Sequence, residues 1–352
     1  MNLRKRHLLF RLIIGVLLLA LCHLLSLAQP KTYVPVLCYH GFSDDYKSGR
    51  GESYERFETL LKFLSENGYE SCFPEDVVSN TKLLEKKVIF TFDDGSKSHV
   101  RAAQILDKYG FKGIFFVIPD RIRETDERFL TRGEIQLLAE HGHLIGAHGF
   151  QHKSMVDSVL ELKASQESSK KILRTIVGER QHTISNFAFP FGYYNNQIVK
   201  QLRHEFKYLH TVNPGYWDGK SILIPRMLID SHTNMEFYID YIRGNTKFNP
   251  TASLVTEDGT TSDIVKFALN SEISLDKIEL FSVSRDTSGQ INVSHPLGNN
   301  LSLRENILEV NIKNHLRRYY SPDRRVISYA LVSREDGAIK FLTCGHLQWV
   351  TQ

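Results

Sequence analysis

The chain has 352 residues, 41% hydrophobic and 24% charged, with a formal net charge of +4. That is an ordinary globular composition, long enough for one large domain and a smaller one. Arg4, Lys5, Arg6 and Arg11 lie in an acid-free stretch over residues 1–28, and the remainder balances 40 basic against 40 acidic residues. Nucleic-acid binding driven by net charge is thereby excluded.

The four basic residues precede "LIIGVLLLALCHLLSLAQP", Leu12 to Pro30. A positive n-region, a short apolar core and the ending Ser26-Leu27-Ala28 predict, over 1–28, an export signal peptide or an N-terminal membrane anchor. Either places the rest of the chain outside the cytoplasm, as a secreted, periplasmic or membrane-anchored protein. Leu21 precedes Cys22, so no lipobox-like ending is present. Three cysteines remain, Cys38, Cys72 and Cys344, too few and odd in number for a disulfide framework. Cys38 and Cys72 form either a bridge or two buried thiols.

From Val34 onward, strand-like and helix-like segments alternate. "VPVLCYH" predicts a strand, and Tyr54, Phe57, Leu60, Leu61 and Leu64 recur at helical spacing. "KVIFTF", "KGIFFVI", "HLIGAH", "ISNFAF", "YLHTV" and "ILIPRMLI" continue the strand series. Between them lie helices over "SHVRAAQILDKYG" and Leu160 to Val177, and Thr131 to Glu134 matches a capping box. About seven such repeats predict a parallel α/β barrel over residues 33–245. A polar, turn-rich linker follows at 246–262, and short β-like runs over 263–352 predict a small all-β sandwich.

The stretch "VIFTFDDG" ends a buried strand on two adjacent carboxylates, Asp93 and Asp94. Crowded like charges in such a place are costly unless something compensates them. "GAHGFQH" sets His148 and His152 after a second strand, and "FAFPFG" sets Pro190 and Gly192 after a third. In a parallel barrel, chemistry gathers at these C-terminal strand ends. Histidines four apart face one way on a helical turn, and two His with one carboxylate suit a catalytic zinc. One Asp would hold the metal while the other takes a proton from water, the cation offsetting their repulsion.

"TFDDG", "HGFQH" and "FPFG" together resemble the polysaccharide deacetylases of carbohydrate esterase family 4, the chitooligosaccharide deacetylase homology domain. The resemblance runs from about Pro35 to Arg243. It implies a distorted (β/α)7–8 barrel, a general base at Asp93, and a divalent metal, usually zinc, on Asp94, His148 and His152. The implied reaction removes acetyl groups from N-acetylated polysaccharide, or less often O-acetyl groups from xylan. Family members often carry an Arg where this chain has Ala188. The "FAFPFG" version and the strand ending Tyr39-His40 resemble the exported poly-β-1,6-N-acetylglucosamine deacetylases of biofilm matrix. That branch implies His40 as the general acid, with His232 in "MLIDSHT" as the alternative. Arg226 in "IPRM" is a candidate for the missing positive charge, and Phe191, Tyr193 and Trp217 for the sugar groove with Pro190 and Gly192. The alternatives are an O-acetyl xylan esterase and an inactive carbohydrate-binding protein. The expected partners are the acetylated polysaccharide, a membrane through the N-terminus, and glycan or cell wall at the β-rich tail.

Overall fold

Strands that are apolar on both faces must be covered on both, and here one closed sheet and its helices supply the cover. The computed structural model describes residues 33–44, 51–79, 86–155, 159–181, 183–231, 234–244, 252–254, 260–261, 264–269, 275–286, 289–296, 301–312, 326–335, 338–343 and 346–349. The segment read as a leader, the second candidate acid His232, and Cys344 lie outside these residues. Among the described residues, no helix is long and apolar enough to cross a membrane.

Six parallel strands neighbour one another in chain order: β1 (Val34–Tyr39), β2 (Lys87–Phe92), β3 (Gly113–Val117), β4 (Leu144–Ala147), β5 (Asn186–Ala188) and β6 (Tyr208–His210). One broken segment closes the sheet. Its first part, β7 (Leu223–Ile224), pairs with β6, and its second, β8 (Met227–Leu228), pairs with β1. Pro225 has no N–H to give a ladder, so the break falls at Pro225–Arg226. The predicted barrel is therefore present, and its last strand touches its first.

Alternation along the strands separates two layers. Val36, Ile89, Ile114, Phe116 and Ile224 fill the interior. Leu37, Phe90, Phe92, Phe115 and Val117 face outward onto the helices. Helix α1 (Tyr54–Glu66) buries the predicted stripe of Tyr54, Phe57, Leu60, Leu61 and Leu64, and Ser53 caps it by accepting from the Arg56 N–H. Helix α2 is Pro74–Ser79, α3 His99–Lys108 and α4 Arg132–Glu140. The Thr131–Glu134 capping box forms as predicted ahead of α4. Helices α5 (Val159–Val177), α6 (Asn196–Leu202) and α7 (Met235–Gly244) complete the shell.

Trp217 corrects one expectation. Tyr216–Trp217 pairs antiparallel with Val34 and Pro35, at the start of β1, far from the strand end that carries His40. Trp217 is fully buried there, packs edge-on against Tyr208, and donates its indole N–H to the Ser221 carbonyl. It packs among Val34, Val36 and Tyr208 as a plug at the barrel floor and, with no exposed surface, lines no groove.

The C-terminal region forms two sheets. One orders Ala252–Leu254, Ile264–Leu269, Ile307–Asn311 and Leu301–Arg304. The other orders Thr260–Thr261, His346–Trp349, Val326–Glu335, Ile278–Asp286 and Gly289–Pro296, with Ala338–Phe341 beside Val326–Glu335. Two short strands thus arise within the stretch read as a linker. Leu280, Leu331, Phe267 and Val310 pack between the sheets. The opposite face of the second sheet presents Phe281 and Phe341 to the barrel, where Phe237 stacks on Phe281 and Phe341 meets Tyr216 and Tyr241. Cys38 and Cys72 are buried and form no disulfide.

Candidate active site at the mouth of the barrel

Asp93 follows the last residue of β2 and lies almost wholly buried, its backbone N–H donating to the Tyr39 carbonyl at 2.9 Å. Arg226, fully buried at the break between β7 and β8, grips it with two parallel bonds. Nη1 donates to Oδ1 at 2.7 Å and Nη2 to Oδ2 at 2.9 Å. The rest of the guanidinium is also engaged, Nε donating to the Thr211 carbonyl at 2.7 Å and Nη1 to Thr91 Oγ1 at 3.1 Å. A buried charge needs such pairing, and Arg supplies the fork geometry for it. Burial alone would push the Asp93 carboxyl up, but Arg226, with His148 and His40 nearby, holds it well below the usual carboxylate range.

Asp94 turns away on a left-handed backbone with φ 78°. Its Oδ1 is shielded from water and accepts no hydrogen bond, yet His152 Nε2 stands 3.1 Å away and His148 Nε2 3.5 Å away. These separations bracket the edge of about 3.3 Å expected between O and N ligands on a tetrahedral ion with bonds near 2.0 Å. His148 donates its Nδ1–H to the Ala188 carbonyl at 2.9 Å, leaving the Nε2 lone pair facing Asp94. Burial would raise the Asp94 carboxyl, and the two imidazoles outweigh it and draw it down. An orphaned carboxylate oxygen beside two oriented imidazoles fits a divalent cation held by Asp94, His148 and His152.

The two histidines converge by a different route from the one expected. Residues 148–152 form a bend, not a helical turn. Gly149 with φ 71° and His152 with φ 55° reverse the chain so that the rings come within 5.0 Å. A Cβ on Gly149 would stand 3.0 Å from Pro190 Cγ, so this bend is packed against the third motif. Phe191 (φ 59°) then lays its ring 4.4 Å from that of His152, centre to centre, and is itself 40% exposed. Of the five non-glycine residues with positive φ among the described residues, Asp94, His152 and Phe191 are in this site. Each costs about 1–3 kcal/mol, a concentration typical of functional sites.

His40 extends β1 to the same mouth, with Nε2 4.0 Å from Asp93 Oδ2. Tyr193 sits half-buried beside Phe191, while Pro190 and Gly192 are buried beneath them. Gly192 (φ 75°) has no room for a side chain, since a Cβ would fall 2.2 Å from Val212. The structure thus brings together every predicted site residue except Trp217 and the undescribed His232. Sequence reasoning missed three neighbours. The Cys38 thiol donates to Asp93 Oδ2 at 3.5 Å, Arg121 Nη1 lies 3.8 Å from Asp94 Oδ1, and His99 donates Nε2–H to the His40 carbonyl. Cys38 was readable in principle, because it stands two residues before His40 and so shares its strand face.

Residues 80–208 match the polysaccharide deacetylase family. This chain carries a polysaccharide deacetylase domain. The deacetylase is thus a hydrolase, with the barrel that its motifs predicted. The deacetylase PplD of Streptococcus pyogenes superposes with a TM-score of 0.55 at 21% identity, over 60% of this chain and 99% of its own. A polysaccharide deacetylase from Bacillus cereus gives 0.54 at 24% identity, over 60% and 69%. IcaB from Ammonifex degensii gives 0.50 at 22% identity, over 56% and 92%. At these identities the likenesses speak for the fold. No curated protein sequence matches the chain.

Proposed function

We propose that this deacetylase is a divalent-metal-dependent N-deacetylase of N-acetylglucosamine polymer that works outside the cytoplasm. The observation that carries the reading is the pairing of two adjacent carboxylates in different roles. Asp94 joins His148 and His152, while Asp93 is held aside by Arg226.

A zinc-class ion on Asp94, His148 and His152 would supply Lewis-acid chemistry, acidifying water and polarising the acetyl carbonyl. Asp93 does the base's work. The arginine fork keeps it ionised and fixes its orientation, so that Oδ2 faces the mouth where His148 and His40 also point. His40 is the nearest described imidazole not assigned to the metal, and it serves as the acid that protonates the departing amine. His232 is the alternative. Phe191 and Tyr193 offer aromatic faces on which a sugar ring can rest. The leader segment supports an extracytoplasmic location.

Acetate release from an N-acetylglucosamine oligomer and from acetylated xylan, with metal stripped and restored, tests the reading. Release from the first alone, abolished by chelation and recovered with zinc, is expected. Release from xylan alone would make the protein an O-acetyl esterase. No release with retained glycan binding would make it a binding protein.

A further inference from the structure

The mouth of the barrel holds two groups of potential metal ligands, and only one is used above. The other, among the described residues, is Cys38, His40 and Asp93, whose ligand atoms all lie within 4.8 Å of one another. Sγ to Oδ2 is 3.5 Å and Nε2 to Oδ2 is 4.0 Å. A tetrahedral zinc with bonds of about 2.3 Å to sulfur and about 2.0 Å to nitrogen and oxygen needs S···O edges of about 3.5 Å and N···O edges of about 3.3 Å. The first edge is already met. The second closes with less than an ångström of movement by His40, the most open of the three side chains. Cys38 is fixed in β1, between β2 and β8, and Asp93 is fixed by Arg226, so two ligands are preorganised.

We propose that Cys38, His40 and Asp93 form a second, inhibitory site for a thiophilic divalent cation, zinc or cadmium. As the metal–sulfur bond forms, the Cys38 thiol gives its proton to solvent. The thiolate selects zinc and cadmium over magnesium and manganese, which prefer oxygen. The neighbouring cation and Arg226 repel a second one, so this site fills after the first and more weakly. Filling it occupies the lone pairs of His40 and Asp93, which the proposed function assigns to proton transfer. That inhibitory consequence rests on the functional reading, whereas the binding does not.

The full-length chain is titrated with cobalt(II) and with cadmium(II) while thiolate-to-metal charge-transfer absorption is followed. Two equivalents are expected, with the charge-transfer band appearing on the second. The band should vanish in Cys38→Ser, which still takes up the first equivalent and so reports its own fold. It should persist in Cys72→Ser, since burial pushes that thiol up to about 12. His40→Ala, which keeps the thiol but removes a direct ligand, should weaken the second equivalent by more than the roughly 10-fold that loss of a ligand's hydrogen-bond partner costs. In the zinc-loaded enzyme, excess zinc should suppress acetate release, magnesium should not, and Cys38→Ser should resist the suppression. A single equivalent without a charge-transfer band overturns the site, and so does zinc inhibition unchanged in Cys38→Ser. Should the protein release no acetate at all, the absorption titration still decides.

Discussion

Arg226 and Asp93, 133 residues apart in sequence, meet face to face in the barrel interior through paired bonds of 2.7 and 2.9 Å. Neither partner is accessible to solvent to any useful degree. Cutting such a pair on one side strands a charge, while removing both sides does not. Arg226→Ala should therefore cost about 3–5 kcal/mol in denaturant unfolding, and Asp93→Asn combined with Arg226→Met should recover much of it. Equal losses in the single and double variants would show that packing, not charge, is what Arg226 contributes.

The adjacent carboxylates should separate cleanly by phenotype. Asp93→Asn is expected to keep its metal but lose about 100-fold or more in turnover, because only the proton acceptor is removed. Asp94→Asn should lose metal affinity first, since its Oδ1 is the oxygen facing both imidazoles. Metal content and acetate release, measured on both variants, check the assignment. Swapped phenotypes would reverse the roles.

The acid can be located by pH dependence. His40→Ala should leave the first metal equivalent in place, lower turnover strongly and remove the alkaline limb of the pH–rate profile. An alkaline limb that survives in His40→Ala and disappears in His232→Ala would transfer the role to His232.

Two buried histidines outside the Asp94, His148 and His152 set should make the fold acid-sensitive. Burial drives both His99 and His143 down to about 4, and His143 stays neutral to accept the Gly113 N–H at 3.2 Å. Their folded pKa lies below the unfolded value of about 6.5, so the unfolded chain takes up more protons as pH falls. Stability is complete above about pH 6.5 and declines toward pH 4, each histidine adding up to about 1.4 kcal/mol per pH unit. His143→Gln should flatten that decline in urea titrations of the metal-free protein. An unaltered slope would place the protons elsewhere.

What was readable beforehand was local. The strand series, the stripe of α1 and the Thr131–Glu134 cap follow from periodicity and capping chemistry, which a few consecutive residues express. That Asp94, His148 and His152 would cluster was readable because each follows the end of a strand. The reason offered for the His pair was incomplete, since left-handed backbone, not helical phase, makes it converge. Contacts that depend on closure were harder. That Arg226 faces Asp93 requires β8 to lie against β1, and that Trp217 fills the floor requires the chain to return antiparallel to Val34. The Ala188 carbonyl that orients His148 leaves no trace in residue type at all.

The plug of Trp217, packed with Val34, Val36 and Tyr208, closes the barrel at the end away from Asp93. Nothing can pass through, so whatever enters to meet Asp93 must back out the same way. A long glycan therefore cannot be threaded; it has to be approached broadside, one ring presented to the rim at a time. The proposed reaction would then be open to sugars anywhere along the polymer, and it would leave the backbone whole.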